Sequence, residues 1–217
     1  DQRLADPIAL WVSPVAELGG VARHLLDVAL VGVPGWRVVY FCPEGPLAAD
    51  LRRLGAPVLV GRFGPDVDLR TSLTSLRDAA AGSARAIVHT HLSYADVAAA
   101  LATVGLPTAL VTTEHGIAAD DLVYHLTKTR SAAKALLHTA RLRRFDAVIA
   151  VSDATRTAMA AKWHPRQPIT VIPNGVDPLD AAAPSEPGLR FASIARLAPE
   201  KRLGDLLRAF AQFRATH

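Results

Sequence analysis

The 217 residues are half apolar, carry a net charge of +4 and include a single cysteine, Cys42. That length holds one large domain or a domain and a part, and the apolar share excludes a disordered chain, while a lone cysteine excludes an internal disulfide and a thiolate zinc site. Twenty of the 24 basic residues are arginine and aromatic residues make up only 6%, a mild and scattered positive excess that suits small anionic ligands and argues against a nucleic-acid surface.

No apolar run approaches about 18 residues, and the polar opening at Asp1 has no signal-like stretch, so a cytoplasmic protein in a reducing compartment is expected. In chain order, Ile8 to Val12 is a continuous apolar run ended by Ser13-Pro14, the pattern of a strand buried on both faces. Gly19-Gly20 follows, and behind it Val21, Leu25 and Val28 recur at helical spacing, with Leu26 and Ala29 alongside. This strand-to-helix turn has two readings. Either the glycines make a tight turn, or they let an anion reach the free amides at the positive end of the helix. Val38 to Cys42, Leu47 to Leu54 and Val58 to Val60 continue as strand, helix and strand. The next loop carries Asp66-Val67-Asp68, an acidic pair of a kind found in metal sites; Asp68 is read instead as the N-cap of a helix that begins near Leu69.

Ala86 to Val88 runs into His89-Thr90-His91, where alternation puts both imidazoles on one side of an extended segment. Two histidines so placed invite a metal, but no third ligand is identifiable from sequence, and a structural or site-lining role is expected. Tyr94 to Val104 reads as an alanine-rich helix with Asp96 in its first turn, where a negative charge suits the helix dipole. Thr108 to Thr113 is the next strand. Glu114-His115-Gly116 stands at its carboxyl end, the side on which open α/β sheets bind ligands. His115 is therefore placed for chemistry, with a backbone-bonded histidine as the plainer alternative; Glu114 either orients it or pairs with a cation.

Neither Gly nor Pro occurs from Ile117 to His164, an interval expected to hold a long helix, a strand and another helix. In the first of these helices Arg130, Lys134, His138 and Arg141 fall along one face. Such a basic stripe is a solvated face, or a contact with an anionic membrane surface or a lipid phosphate. Phe145 to Ala150 contains the next strand, and Ser152 fits the N-cap of the helix after it, with no Gly-x-Ser-x-Gly elbow around it. Ile169 to Ile172 closes the series at Pro173-Asn174-Gly175, where the proline cannot donate to a ladder and Asn-Gly supplies a sharp turn.

Beyond a linker from Pro178 to Pro187, Phe191 to Ile194 reads as a new strand, followed by Arg196 and Lys201 in a loop. Leu203, Leu206, Leu207, Phe210 and Phe213 then mark one apolar face of a last helix. A lone βα unit cannot bury that face by itself. The expected division is residues 1–177 as a Rossmann-like domain, 178–188 as an interdomain linker, and 189–217 as the truncated start of a second domain.

Gly19-Gly20, Thr113-Glu114-His115-Gly116, Ala150-Val151-Ser152, Ile172-Pro173-Asn174-Gly175-Val176-Asp177, and Arg196-Leu197 with Glu200-Lys201 occur in an order that resembles the family 4 glycosyltransferases, retaining enzymes of the GT-B fold, over nearly the whole chain. The resemblance implies an α/β fold with a parallel sheet and helices on both faces, the N-terminal half of a GT-B fold, plus one βα unit of the second half. It implies a nucleoside-diphosphate sugar donor bound between two domains and an acceptor held mainly by the first, which makes residues 1–177 the acceptor-binding domain and 189–217 the start of the donor-binding one. His115 would be catalytic, facing the donor sugar and the acceptor hydroxyl. Gly19, Gly20, Arg196 and Lys201 would meet the donor phosphates; His89, His91 and Glu114 would line the acceptor side; Asn174 and Asp177 would shape the hinge.

Neither a metal nor a cofactor is implied. The family's Glu-x7-Glu segment, which lies further along the second domain, does not occur here, so this chain alone is expected not to turn over donor. Alternatives are a sugar-nucleotide epimerase or phosphorylase of the same architecture, and a non-catalytic acceptor-binding module. A dinucleotide oxidoreductase is disfavoured because no Gly-x-Gly-x-x-Gly follows the first strand. Expected partners are the nucleotide-sugar donor, a sugar or lipid-linked acceptor, the inner face of a membrane through the basic stripe, and another copy through the terminal helix.

Overall fold

Short apolar runs bounded by turn residues become the strands of one parallel sheet: β1 (Ile8–Val12), β2 (Arg37–Cys42), β3 (Val58–Val60), β4 (Arg85–His91), β5 (Ala109–Glu114), β6 (Ala147–Ala150) and β7 (Ile169–Val171). The computed structural model describes residues 7–82, 85–116, 137–176, 191–195, 197 and 201–216, in two units that divide between Gly175 and Val176. Asp177, Arg196 and the linker from Pro178 to Pro187 lie outside the described residues, as do Arg130 and Lys134.

The first unit holds the whole sheet, in the order β3-β2-β1-β4-β5-β6-β7. From β1 the chain runs outward to β2 and β3, returns to β1's other edge as β4, and continues outward to β7. The order therefore reverses between β1 and β4, and the crevice beyond their carboxyl ends is the switch point at which such sheets bind ligands. Helices α1 (Gly20–Val31) and α2 (Pro46–Arg53) cover one face, where Trp11, Tyr40 and Cys42 pack against Leu25, Leu47 and Leu51. The opposite face carries α3 (Leu69–Ala81), α4 (Ser93–Ala102), the helical residues 137–142 and α5 (Asp153–Trp163). There Leu10, Val12, Val88, Leu110 and Val148 meet Leu76, Ala99, Leu142, Met159 and Trp163. Asp68 caps α3, accepting from the Thr71 amide at 2.9 Å, and Ser152 caps α5, accepting from the Thr155 amide at 3.1 Å.

One expectation about charge is overturned on the second face. Asp96 stands in the first turn of α4, as expected, and is buried there: it is 1% exposed, its Oδ1 accepts from the Thr90 and Thr112 hydroxyls, and its Oδ2 accepts from Arg141. Arg141 is not part of a basic surface stripe. It is 3% exposed, donates also to Glu114 Oε2 at 3.1 Å, and sits over the Trp163 ring at 5.2 Å. His138 stacks on the same indole at 4.4 Å. The described half of the stripe faces inward, where Arg141 meets Asp96, Glu114 and the Trp163 ring and His138 stacks on that ring. That removes Arg141 from any membrane surface.

In the second unit, α6 (Leu203–Thr216) has no buried residue, and Leu206, Leu207 and Phe210 are exposed. Phe191 lies edge-on to Phe210 and Phe213, at 5.6 and 5.7 Å, beside an apolar cavity of about 510 Å³. Residues 191–194 are not a strand, contrary to expectation. A strand exists by pairing, and this unit contains no partner strand among its described residues. No helix of the described residues is long and apolar enough to cross a membrane.

Replacing Arg141 leaves two carboxylates buried with no cation, and losing one side of such a cluster costs about 3–5 kcal/mol. Urea unfolding of Arg141→Met should show that loss. Arg156→Met, which removes only the exposed pair with Asp153, should leave the midpoint where it is.

Candidate functional site

The crevice at the β1–β4 switch begins with Gly19 and Gly20. Gly19 is extended (φ −168°, ψ −169°), Gly20 opens α1, and a Cβ built on either would meet nothing within 4 Å among the described residues. Neither steric crowding nor a left-handed backbone demands glycine here. What the two residues do is leave the first-turn amides of α1 uncovered at the positive end of its dipole.

Below that turn lie four of the chain's eight histidines. Alternation along β4 sends Thr90 to one face and His89 and His91 to the α1 face, as the sequence predicts, with their rings stacked 4.6 Å apart at 28°. His89 Nε2 pairs with Thr113 Oγ1 at 2.8 Å. His91 Nδ1 meets His115 Nε2 at 2.9 Å, joining the ends of β4 and β5. The fourth histidine, His24, comes from α1, one helical turn beyond Gly20. Its ring stacks on Trp11 (5.8 Å between centroids) and lies 5.5 Å from His91 and 5.0 Å from His115. The uncovered helix start and the histidines are therefore neighbours. Sequence reading missed His24 and Trp11. The available signal was the i, i+4 spacing from Gly20, but it means little until the fold lays α1 over β4.

Burial sets the electrostatics. It pushes His89 down to about 3 and His115 to about 4, holds His91 well below the ordinary imidazole value, and lowers His24 against the opposing pull of Asp27. All four imidazoles are neutral at pH 7. Each offers a lone pair and a single N–H.

Glu114 and His115 are adjacent and serve opposite faces. His115 faces His91 and His24; Glu114 faces Arg141, so of its two readings the structure supports pairing with a cation. Burial raises Glu114 to about 7, and one guanidinium serves both it and Asp96. This cluster joins Thr90 of β4, Thr112 and Glu114 of β5, Asp96 of α4 and Arg141. It lies directly under the histidines. Beside them on the α1 face, a cavity of about 410 Å³ is lined by Trp11, His24, Trp36, His89, Val111 and Thr113 among others.

The structure thus brings Gly19, Gly20, His89, His91 and His115 to one end of the sheet, with Glu114 beneath. Asn174 is exposed beyond β7, and Lys201 is exposed just before α6 in the second unit. Neither joins that group within its own unit.

The neutral imidazoles have a consequence for pH. Their folded pKa values lie below the 6.5 of a free histidine, so on acidification the unfolded chain takes up protons first. Stability should be complete above about pH 6.5 and fall progressively toward about pH 4. Thermal melts in a chelating buffer across that range check this; a melting temperature that holds steady down to pH 4 contradicts neutral burial.

The Glycosyltransferase Family 4 sequence model matches residues 18–179. Among solved structures, HepE of Anabaena, in complex with UDP-glucose, is 22% identical with a TM-score of 0.62, over 78% of this chain and 44% of its own. A glycosyltransferase from Rickettsia africae is 19% identical with a TM-score of 0.61, over 80% of this chain and 44% of its own. Sucrose-phosphate synthase from Thermosynechococcus elongatus is 17% identical with a TM-score of 0.55, over 79% of this chain and 49% of its own. The chain therefore spans less than half the length of each, and at these identities the likeness is one of fold, the parallel Rossmann-like sheet of a GT-B N-terminal domain. No curated protein matches the chain. The family match covers most of the sequence, and this chain belongs to the family 4 glycosyltransferases.

Proposed function

We propose that residues 1–177 are the acceptor-binding half of a retaining glycosyltransferase that moves a sugar from a nucleoside diphosphate to an acceptor hydroxyl. Residues 189–217 would open its donor-binding domain. The observation that carries this reading is the uncovered start of α1 beside His115 at the β1–β4 crevice. An anion docked on the Gly19 and Gly20 amides lies within one helical turn of His24, and so next to the His115 imidazole.

In the transfer, the bond from the anomeric carbon to the leaving phosphate oxygen breaks and a bond to the acceptor oxygen forms on the same face. The hydroxyl proton departs with the diphosphate. Negative charge grows on the leaving oxygens, and donors aimed there stabilise the transition state more than the ground state. The α1 amides, Arg196 and Lys201 fill that role, so no metal bridge on the diphosphate is needed. His115, neutral and turned toward the crevice, hydrogen-bonds the sugar or the acceptor hydroxyl. His89 and His91 support it from the acceptor side. Asn174 and Asp177 form the hinge on which the two domains close and exclude water. The uncovered apolar face of α6 is the surface that the rest of the donor domain would bury.

The test uses the protein encoded by the full reading frame, supplied with a panel of nucleoside-diphosphate sugars and candidate acceptors. An α-linked donor should give an α-linked product by NMR. Inversion, a requirement for inorganic phosphate, or rearrangement of the donor without acceptor would each overturn the reading. His115→Ala should lower kcat roughly 100- to 1000-fold. Gly20→Ala should leave stability unchanged or raised by up to about 1 kcal/mol, as for alanine in a helix, while donor turnover drops. The 217-residue chain by itself should give no product, and measurable transfer by it refutes the half-site assignment.

A further inference from the structure

We propose that His24, His91 and His115 form a binding site for one divalent transition-metal ion of the zinc class, with a fourth position open to the crevice. One ligating nitrogen from each residue can be chosen so that the three lie within 4.8 Å of one another. They come from α1 and from the ends of β4 and β5, elements whose places are set by the sheet and by the buried charge cluster beneath it.

The cluster gathers ring nitrogens with little else to bond to. His91 and His115 meet nitrogen to nitrogen at 2.9 Å, so one of the two facing atoms has to carry the proton for both. His91 is 0% exposed, and its Nε2 has no partner among the described residues. His24 brings a third lone pair to the same place. A single ion accepts one lone pair from each residue once the proton between His91 and His115 has shifted to the distal nitrogen of its own ring. Neutral imidazole is the state that ligates.

The donor set selects the ion. Three neutral ring nitrogens, with no carboxylate or thiolate, suit Zn(II), Co(II), Ni(II) or Cu(II) and not Mg(II) or Ca(II), which take oxygen ligands. Zinc–nitrogen bonds of about 2.0–2.1 Å in tetrahedral geometry put ligating atoms about 3.4 Å apart. His91 and His115 are already close to that spacing. His24, half-buried on α1, closes the remainder by turning its side chain. His91 is held by the His89 ring at 4.6 Å and by Trp11 at 4.9 Å. His89 is committed to Thr113 and stands outside the ligand set as a wall. The partial exposure of His24 and His115 leaves one side of the ion to water or to an exogenous oxygen or nitrogen ligand.

The site shares His115 with the transferase reading but is tested apart from it, by metal binding to the chain. The experiment titrates Co(II) into the untagged, chelator-treated chain, following the visible absorption of tetrahedral Co(II) and the quenching of tryptophan fluorescence, since Trp11 adjoins the cluster. One equivalent should bind, be displaced by Zn(II), and be unaffected by Mg(II). His24→Ala should weaken binding roughly 10- to 100-fold with an unchanged circular dichroism spectrum. Its side chain is half-buried on a helix surface, so this variant decides the matter even if His91→Asn fails to fold. Absence of a one-equivalent Co(II) complex, or an affinity in His24→Ala equal to that of the parent, overturns the proposal.

Discussion

One guanidinium between two buried carboxylates holds the functional end of the domain together. Arg141 reaches Asp96 on α4 and Glu114 on β5, and Asp96 in turn takes hydroxyls from β4 and β5. Taking these charges out of water costs several kcal/mol per ion, a cost offset here by the hydrogen bonds they exchange, with Arg141 Nε left without a partner among the described residues. Strand alternation carries the result to the other face. Thr90 and Glu114 cannot be held without also setting the directions of their neighbours His91 and His115. The polar cluster on one side of the sheet is thus the frame for the imidazoles on the other.

This arrangement explains how a mostly apolar domain keeps a polar crevice in register. Trp11, near the carboxyl end of β1, contacts His24, His89 and His91 together. Aromatic faces restrain imidazoles without supplying the protons or charges that would disturb them. The neutral rings, the uncovered amides of α1 and the apolar wall of the adjoining cavity then differ in what they attract. On the proposed readings an anion would go to the helix start, and a group seeking lone pairs to the histidines.

How much of this could be read beforehand divides along a physical line. Strands announced themselves because a parallel sheet buries both faces, so Ile8 to Val12 or Thr108 to Thr113 are apolar without interruption. The Asp68 and Ser152 caps were legible because capping is local. Arg141 was misread because helical periodicity assigns residues to a common face and is silent on whether that face looks in or out. Asp96 gave one clue, a carboxylate in an otherwise apolar helix, but its partners lie 45 residues away at Arg141 and 16 away at Thr112. His24 was overlooked since three separate elements converge on it only through the pairing of β1 with β4. Phe191 to Ile194 looked like a strand on composition alone, and a strand cannot exist without an edge to pair with.

That pairing of β1 with β4 bears on how the chain is made. β1 precedes every other strand in this chain, yet it lies between β2 and β4, and its second edge is covered only when Arg85–His91 arrives. Translation adds about 5–20 residues per second, so the interval between completion of β2 and of β4 is on the order of 2–10 s. During that time the nascent sheet presents an open edge beside Trp11 and its apolar neighbours. Non-local parallel pairing also closes slowly once its partner exists. The period of greatest exposure to aggregation, and to chaperones that bind unpaired edges, therefore falls before the histidine cluster can assemble at all.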